Sequence, residues 1–252
     1  MGLRVFAGLL IVCAGLSVPA WAQQTSIAEQ YLFQAANYER ARLGLPPLRW
    51  DSALYRAAYG HARQMAARES ISHQYPGEPE LAERGKSAGG RFSVISENVA
   101  EAPTAVRIHD AWMNSPGHRE NLLDPRVDSV GISVLRRGGQ LYAVQDFDRT
   151  VVMLSLEEQE RTVEQQLMAA GAVGILRETE DARRTCALST GYAGARQPRF
   201  VMRYTSSDLS RIPEQLRQKL ATGAAREAVV GACAGSSGQP FSMYSIAVLL
   251  YP

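Results

Sequence analysis

Three places in this 252-residue chain bring ligand-capable side chains to expected structural breakpoints: Ile71-Ser72-His73, Ser96-Glu97-Asn98-Val99 and Asn114-Ser115-Pro116-Gly117-His118-Arg119. Two imidazoles and a carboxylate, His73, His118 and Glu97, suit zinc or another divalent metal, because neutral imidazole and carboxylate both ligate such ions. The same three groups could serve as a general acid/base set, since histidine titrates near neutral pH and Glu97 could accept a proton. The spacing matches no local ligand motif such as H-E-x-x-H, so the plainer reading of each histidine is a satisfied structural residue. His61 and His109 sit inside helical patterns and stay in that class. Ser115, three residues before His118, suggests a hydrolase, but Pro116-Gly117 offers no nucleophile elbow.

The elements that must position these residues follow from periodicity and punctuation. Ile27 to Leu43 reads as a helix capped by Ser26 and ended by Gly44-Leu45-Pro46-Pro47. A second helix begins at Trp50-Asp51-Ser52, with Leu54, Ala58, Ala62, Met65 and Ala66 as its apolar stripe. Residues 72–92, rich in Gly, Pro, Ser and charge, read as a loop or broken helix. Thr104 caps a third helix running to about Trp112–Met113, broken by Pro116-Gly117. From Val130 the apolar period becomes two, and Arg137-Gly138-Gly139 turns a hairpin whose returning strand runs from Leu141 to Phe147. Helices followed by a hairpin indicate an α+β class, with helices packed on a mostly antiparallel sheet.

The tail reads as a smaller α+β module: a helix at about 157–170, a strand around 200–204, and a helix presenting Leu209, Ile212, Leu216 and Leu220. Strands at about 228–233 and 241–251 close it. No internal repeat is evident in the sequence. All four histidines precede residue 150. Three segments are therefore expected: a leader over 1–22, a domain over 23–150 and a module of unknown role over 151–252.

The leader rests on Arg4, the apolar run from Val5 to Val18 and the small-x-small end Ala20-Trp21-Ala22, which describe a Sec-type signal peptide cut after Ala22. The run falls short of the roughly 20 residues a spanning helix needs. A secreted or periplasmic protein with no membrane span after cleavage is the expectation. Cys186 and Cys233 then most simply form one disulfide. Charge is nearly balanced, with 27 Lys+Arg against 25 Asp+Glu and a net charge of +2, which gives no case for a nucleic-acid partner. Only Lys86 and Lys219 are lysines; arginine supplies the rest of the positive charge.

In order along the chain, Asn37-Tyr38-Glu39-Arg40, Leu48-Arg49-Trp50-Asp51, Ser72-His73, Ser96-Glu97-Asn98-Val99, Trp112-Met113-Asn114-Ser115-Pro116-Gly117-His118-Arg119, Val130-Gly131-Ile132 and Gln145-Asp146-Phe147 resemble a bacterial CAP domain. This superfamily, also called SCP, joins cysteine-rich secretory proteins, antigen 5 and pathogenesis-related proteins. The resemblance covers roughly residues 30–149 and does not reach the tail. It implies an α-β-α sandwich with a cleft lined by two histidines, His73 and His118, and two acids, of which Glu97 is one. Ser115 stands where eukaryotic members carry the second acid, so the tetrad is incomplete and a metal there would lack one anionic ligand. The family's disulfides are missing from 23–150, leaving that domain to hydrophobic packing. CAP domains are linked to lipid or sterol binding, metal binding, protein interaction and proteolysis, so the resemblance does not choose among them. The expected function is a non-enzymatic module binding a lipid, glycan or peptide. A metal-assisted hydrolase and a structural or protein-interaction module are the alternatives.

Overall fold

The protein is represented by a computed structural model, which describes residues 25–171, 174–177, 179–234 and 241–252. The proposed signal peptide lies outside the described residues.

Two four-stranded sheets organise the chain. The first is built from β1 (Arg49–Trp50), β2 (Phe92–Ala102), β3 (Ser129–Arg137) and β4 (Gln140–Thr150), in the order β1-β3-β4-β2. β1 runs parallel to β3, and the other two pairings are antiparallel. The β3–β4 turn needs Gly138 and Gly139, whose φ angles of 54° and 83° lie in the left-handed region.

Helices cover both faces. On one side α1 (Ile27–Arg42), α4 (Ala105–Asn114) and α5 (Pro116–Leu123) bury Leu32, Ile108, Trp112 and Leu122 against Val130, Ile132 and Phe147. On the other, α2 (Ser52–Arg68) lays Ala58, Ala62 and Met65 on Val99, Tyr142 and Val144. The strands alternate accordingly, odd and even positions of β3 serving different layers. The result is an α-β-α sandwich held without a disulfide.

Local chemistry explains the helix ends. Ser26 and Glu29 form a reciprocal capping box on α1, and Asp51 accepts the Ala53 and Leu54 amides at the start of α2. Buried Arg40 donates to the carbonyls of Pro46, Leu122, Asp124 and Val127, tying α1 to the end of α5 and the loop after it. α2 crosses β3 at Gly131, where any Cβ would overlap the backbone of Leu54 and Tyr55.

The second sheet comprises β5 (Gly174–Ile175), β6 (Phe200–Ser206), β7 (Glu227–Cys233) and β8 (Tyr244–Tyr251), in the order β5-β7-β8-β6. α6 (Leu156–Ala169) and α8 (Glu214–Ala221) pack Val163, Leu167, Leu216 and Leu220 on one face. α7 (Thr179–Ala187) packs Ala182 on the other, and Cys186 of α7 is bonded to Cys233 of β7. Between the sheets, the Ser242 amide donates to the Phe92 carbonyl at 2.8 Å, and the rings of Phe92 and Phe241 meet edge to face.

Several expectations are corrected. Trp50 belongs to β1, because Asp51 caps the helix one residue later. The polar stretch over 72–92 contains a two-turn helix, α3 (Leu81–Ser87), and ends at the first residue of β2. Glu97 lies within β2, not at a chain break. Pro116-Gly117 ends one helix and opens the next, since proline at the first helical position has no amide to lose. Leu209 and Ile212 are buried but precede α8. Finally, the two sheets share one strand order despite the absence of a repeat legible in the sequence.

Candidate ligand-binding cleft

β2 is an edge strand of the first sheet, and the candidate site is built over it from both helical layers. Glu97 lies on the face covered by α2, opposite Asp146 of β4, which in turn lies opposite Gly131 of β3. The loop after α2 brings His73 over the strand, where its Nδ1 meets Glu97 Oε1 at 2.9 Å. Arg84 of α3 donates to Glu97 Oε2 and to the His73 carbonyl. Glu97 is thus a buried carboxylate with a partner on each oxygen, its side chain 3% exposed, whereas that of His73 is 62% exposed.

A further ring supports this pair from below. His61 of α2 is fully buried, with Nδ1 2.8 Å from Glu78 Oε1 and Nε2 donating to the Ser72 carbonyl at 2.7 Å. Glu78 Oε2 accepts the Tyr75 amide, and Arg84 lies 3.8 Å from Glu78 Oε1. The loop carrying His73 is therefore moored by a buried acid and base on each side.

His118 arrives from the opposite layer, on α5. Fully buried Asn98 donates to the His118 carbonyl at 3.0 Å, and Asn121 donates to the Glu97 carbonyl and to Asn98 Oδ1. These amides hold α5 against β2 and set the His118 ring 6.4 Å from that of His73, centre to centre. The hydrogen bond to Glu97 raises the pKa of His73 against the opposing effect of burial. Burial, then the neighbouring His73, lowers that of His118. One ring favours its cation and the other its neutral form.

Asp146 is fully buried beside this network, and neither carboxyl oxygen has a hydrogen-bond partner. Burial first, and the charge of Glu97 second, push its carboxyl well above the usual range.

The structure brings His73, Glu97 and His118 together over β2. Ser115 stands at the junction of α4 and α5, caps α5 without a side-chain hydrogen bond, and joins none of the site's bonds. His109 packs edge-on against Tyr31, with Nε2 4.0 Å from Glu39, in the α1–α4 layer. His61, set aside in the sequence as structural, directly supports the site. Glu78, Arg84, Asn121 and the support roles of Asn98 and Asp146 were not anticipated either. The available signal was Asp146 following the apolar run Leu141–Val144 of β4.

A metal is not well served by this donor set. Among the described residues no group of three or more His, Cys, Asp or Glu is arranged to hold one. Both oxygens of Glu97 are engaged, leaving two imidazoles where a catalytic zinc takes three protein ligands.

The fold and this set of residues can be placed beside known proteins. The profile of the cysteine-rich secretory protein family, CAP, matches residues 33–147, and that part of the chain is a CAP domain. YkwD of Bacillus subtilis (strain 168) is 32% identical over 114 residues, 45% of this chain and 44% of YkwD. The membrane protein YlbC of the same strain is 29% identical over 147 residues, 57% of this chain and 40% of YlbC. The matched region thus spans less than half of either relative. Among solved structures, an extracellular protein containing a SCP domain from Bacillus anthracis str. Ames aligns at 31% identity. Its TM-score is 0.46, with 49% of this chain and 40% of that one covered.

Proposed function

We propose that the chain is an exported, non-enzymatic binding protein. Its cleft takes an envelope lipid, glycan or peptide through a polar or anionic group presented to His73 and His118. The state of Glu97 carries this reading. A carboxylate buried at the strand edge and bonded to both a guanidinium and an imidazole is occupied in holding the cleft, not free to accept a proton from water. The exposed His73 ring and the neighbouring His118 ring are the groups left facing outward. A hydrolase would need Glu97 released from Arg84, at the cost of stranding a buried charge.

The mature chain, residues 23–252, is incubated with peptidoglycan sacculi, anionic phospholipid vesicles and a peptide array, beside a His73→Ala/His118→Ala variant. Saturable retention by one class, weakened at least tenfold in the variant and without turnover, is the expected result. Hydrolysis of casein, peptidoglycan or model esters would overturn it, as would retention by none of the three. Among the described residues no helix is long and apolar enough to cross a membrane. Export is checked separately by N-terminal sequencing of the protein from the envelope, with Gln23 expected as the first residue.

A further inference from the structure

The second sheet repeats the first. In each half a capped helix leads to a two-residue strand, a helix, an edge strand, further helix and a closing hairpin. The strand orders β1-β3-β4-β2 and β5-β7-β8-β6 correspond one to one, and so do the senses. β5 is parallel to β7 as β1 is to β3, and the remaining pairs are antiparallel in both. Ser155 and Glu158 box the start of α6 as Ser26 and Glu29 box α1.

The correspondence extends to single hydrogen bonds at one constant offset along β3 and β7. The Arg49 amide donates to the Asp128 carbonyl and that of Asp51 to Val130. Gly174 likewise donates to Arg226, and Leu176 to Ala228. Asp128 donates to Asp148, and Arg226 to Tyr251. Beyond the short strand, where β3 lacks a neighbour, buried Glu29 of α1 accepts the Val134 amide at 3.0 Å. In the same place buried Glu160 of α6 accepts the Ala232 amide at 2.9 Å. Each unit also passes its second helix over the third strand at a glycine, Gly131 under α2 and Gly231 under α7. That crossing falls two residues later in the second unit, because the link from Leu176 to α7 is two residues longer than the link from Asp51 to α2. An even shift keeps the glycine on the same face.

We propose that residues 155–252 are a second, degenerate copy of the CAP-type unit, one that has lost its cleft. The register places Val201 at the position of Glu97 and Leu249 at that of Asp146, and Val201 and Leu249 are themselves paired. The carboxyl pair under the cleft has become part of an apolar cluster with Ala182, Val229 and Ala247. The segment carrying His73 and α3, residues 69–91, shrinks to 188–199 and holds no histidine. α7 has 9 residues where α2 has 17. The positions α2 would have covered change with it: buried Val99 and Tyr142 correspond to Arg203 and Ser245, which are only partly buried. The disulfide fastens the shortened helix to its sheet.

The test is amide hydrogen exchange of the full chain by NMR, with the sense of β5 read from cross-strand proton contacts. Slow exchange at Gly174, Leu176 and Ala232, with β5 parallel to β7, is expected. In the full chain Glu160→Ala should speed exchange at Ala232 at least tenfold without affecting Val134, and Glu29→Ala should do the reverse. Fast wild-type exchange at Leu176 and Ala232, an antiparallel β5, or an unchanged Ala232 amide in Glu160→Ala would each overturn the proposal. The wild-type pattern decides the matter should either variant fail to fold.

Discussion

Arg84 shows what a single side chain does for the cleft. It neutralises Glu97, carries the His73 carbonyl and lies against Glu78, so its loss takes the guanidinium from one buried acid and weakens the surroundings of a second. Arg84→Met should cost about 3–5 kcal/mol, the usual penalty for breaking a buried pair, read as a fall in the urea midpoint. Asp148 offers a test by pH. It is buried, and burial raises its pKa to about 7 despite a hydrogen bond from Thr150, with Asp51 and Asp128 adding to the rise and Arg49 opposing it. A carboxyl whose folded pKa exceeds its unfolded value of about 3.9 favours folding fully only below that value, and the contribution disappears as pH rises through about 7. Asp148→Asn should therefore melt near the wild type at pH 4 and above it at pH 8, by an amount on the order of 2–4 kcal/mol. Equal melting curves at pH 8 would contradict this. At this scale the sequence displayed His73, Glu97 and His118 through their motifs. It hid Glu78 and Arg84, which lie in a polar stretch where nothing local distinguishes a buried charge from a solvated one.

Between elements, the closest fit is α2 on β3. Gly131→Ala forces the helix backbone off the strand, and because the obstacle is main chain no rotamer relieves it. We expect a loss of at least about 3 kcal/mol, the upper part of the range for overpacking, checked by thermal melting. The change would also displace His61 and the loop it anchors, so His73 should lose its bond to Glu97. An upfield-shifted or exchange-broadened His73 ring resonance would report that. Elements with strong periodicity and caps, α1, α2, α4 and the β3–β4 hairpin, were legible because their signals are local. β1 and β5 were not: two residues cannot show a period, and only their parallel partners make them strands. β2 was missed because its polar residues, Ser96, Glu97 and Asn98, serve the cleft and break the alternation expected of a half-buried strand.

Across the whole molecule the two sheets are stabilised by different means. The first relies on packing and buried polar networks, the second on packing and the Cys186–Cys233 bond, which closes a loop whose chain-entropy value is about 4 kcal/mol. Cys186→Ser/Cys233→Ser should lower the transition of the second sheet by roughly that amount while amides of β3 and β4 keep their protection. Loss of protection in both sheets together would show one cooperative unit instead. The repeated order of strands was invisible in the sequence because topology is fixed by pairing partners and not by residue identity. Val201 and Leu249 stand where Glu97 and Asp146 do, and each pair meets the demands of its own interior. The scarcity of lysine acquires a use here. Lys86 lies on α3, two residues from Arg84 beside the cleft, and Lys219 lies on α8 in the second sheet's layer, both exposed. An amine-reactive dye therefore labels side chains at one point in each half, and the paired labels form a ready-made ruler for the distance between them.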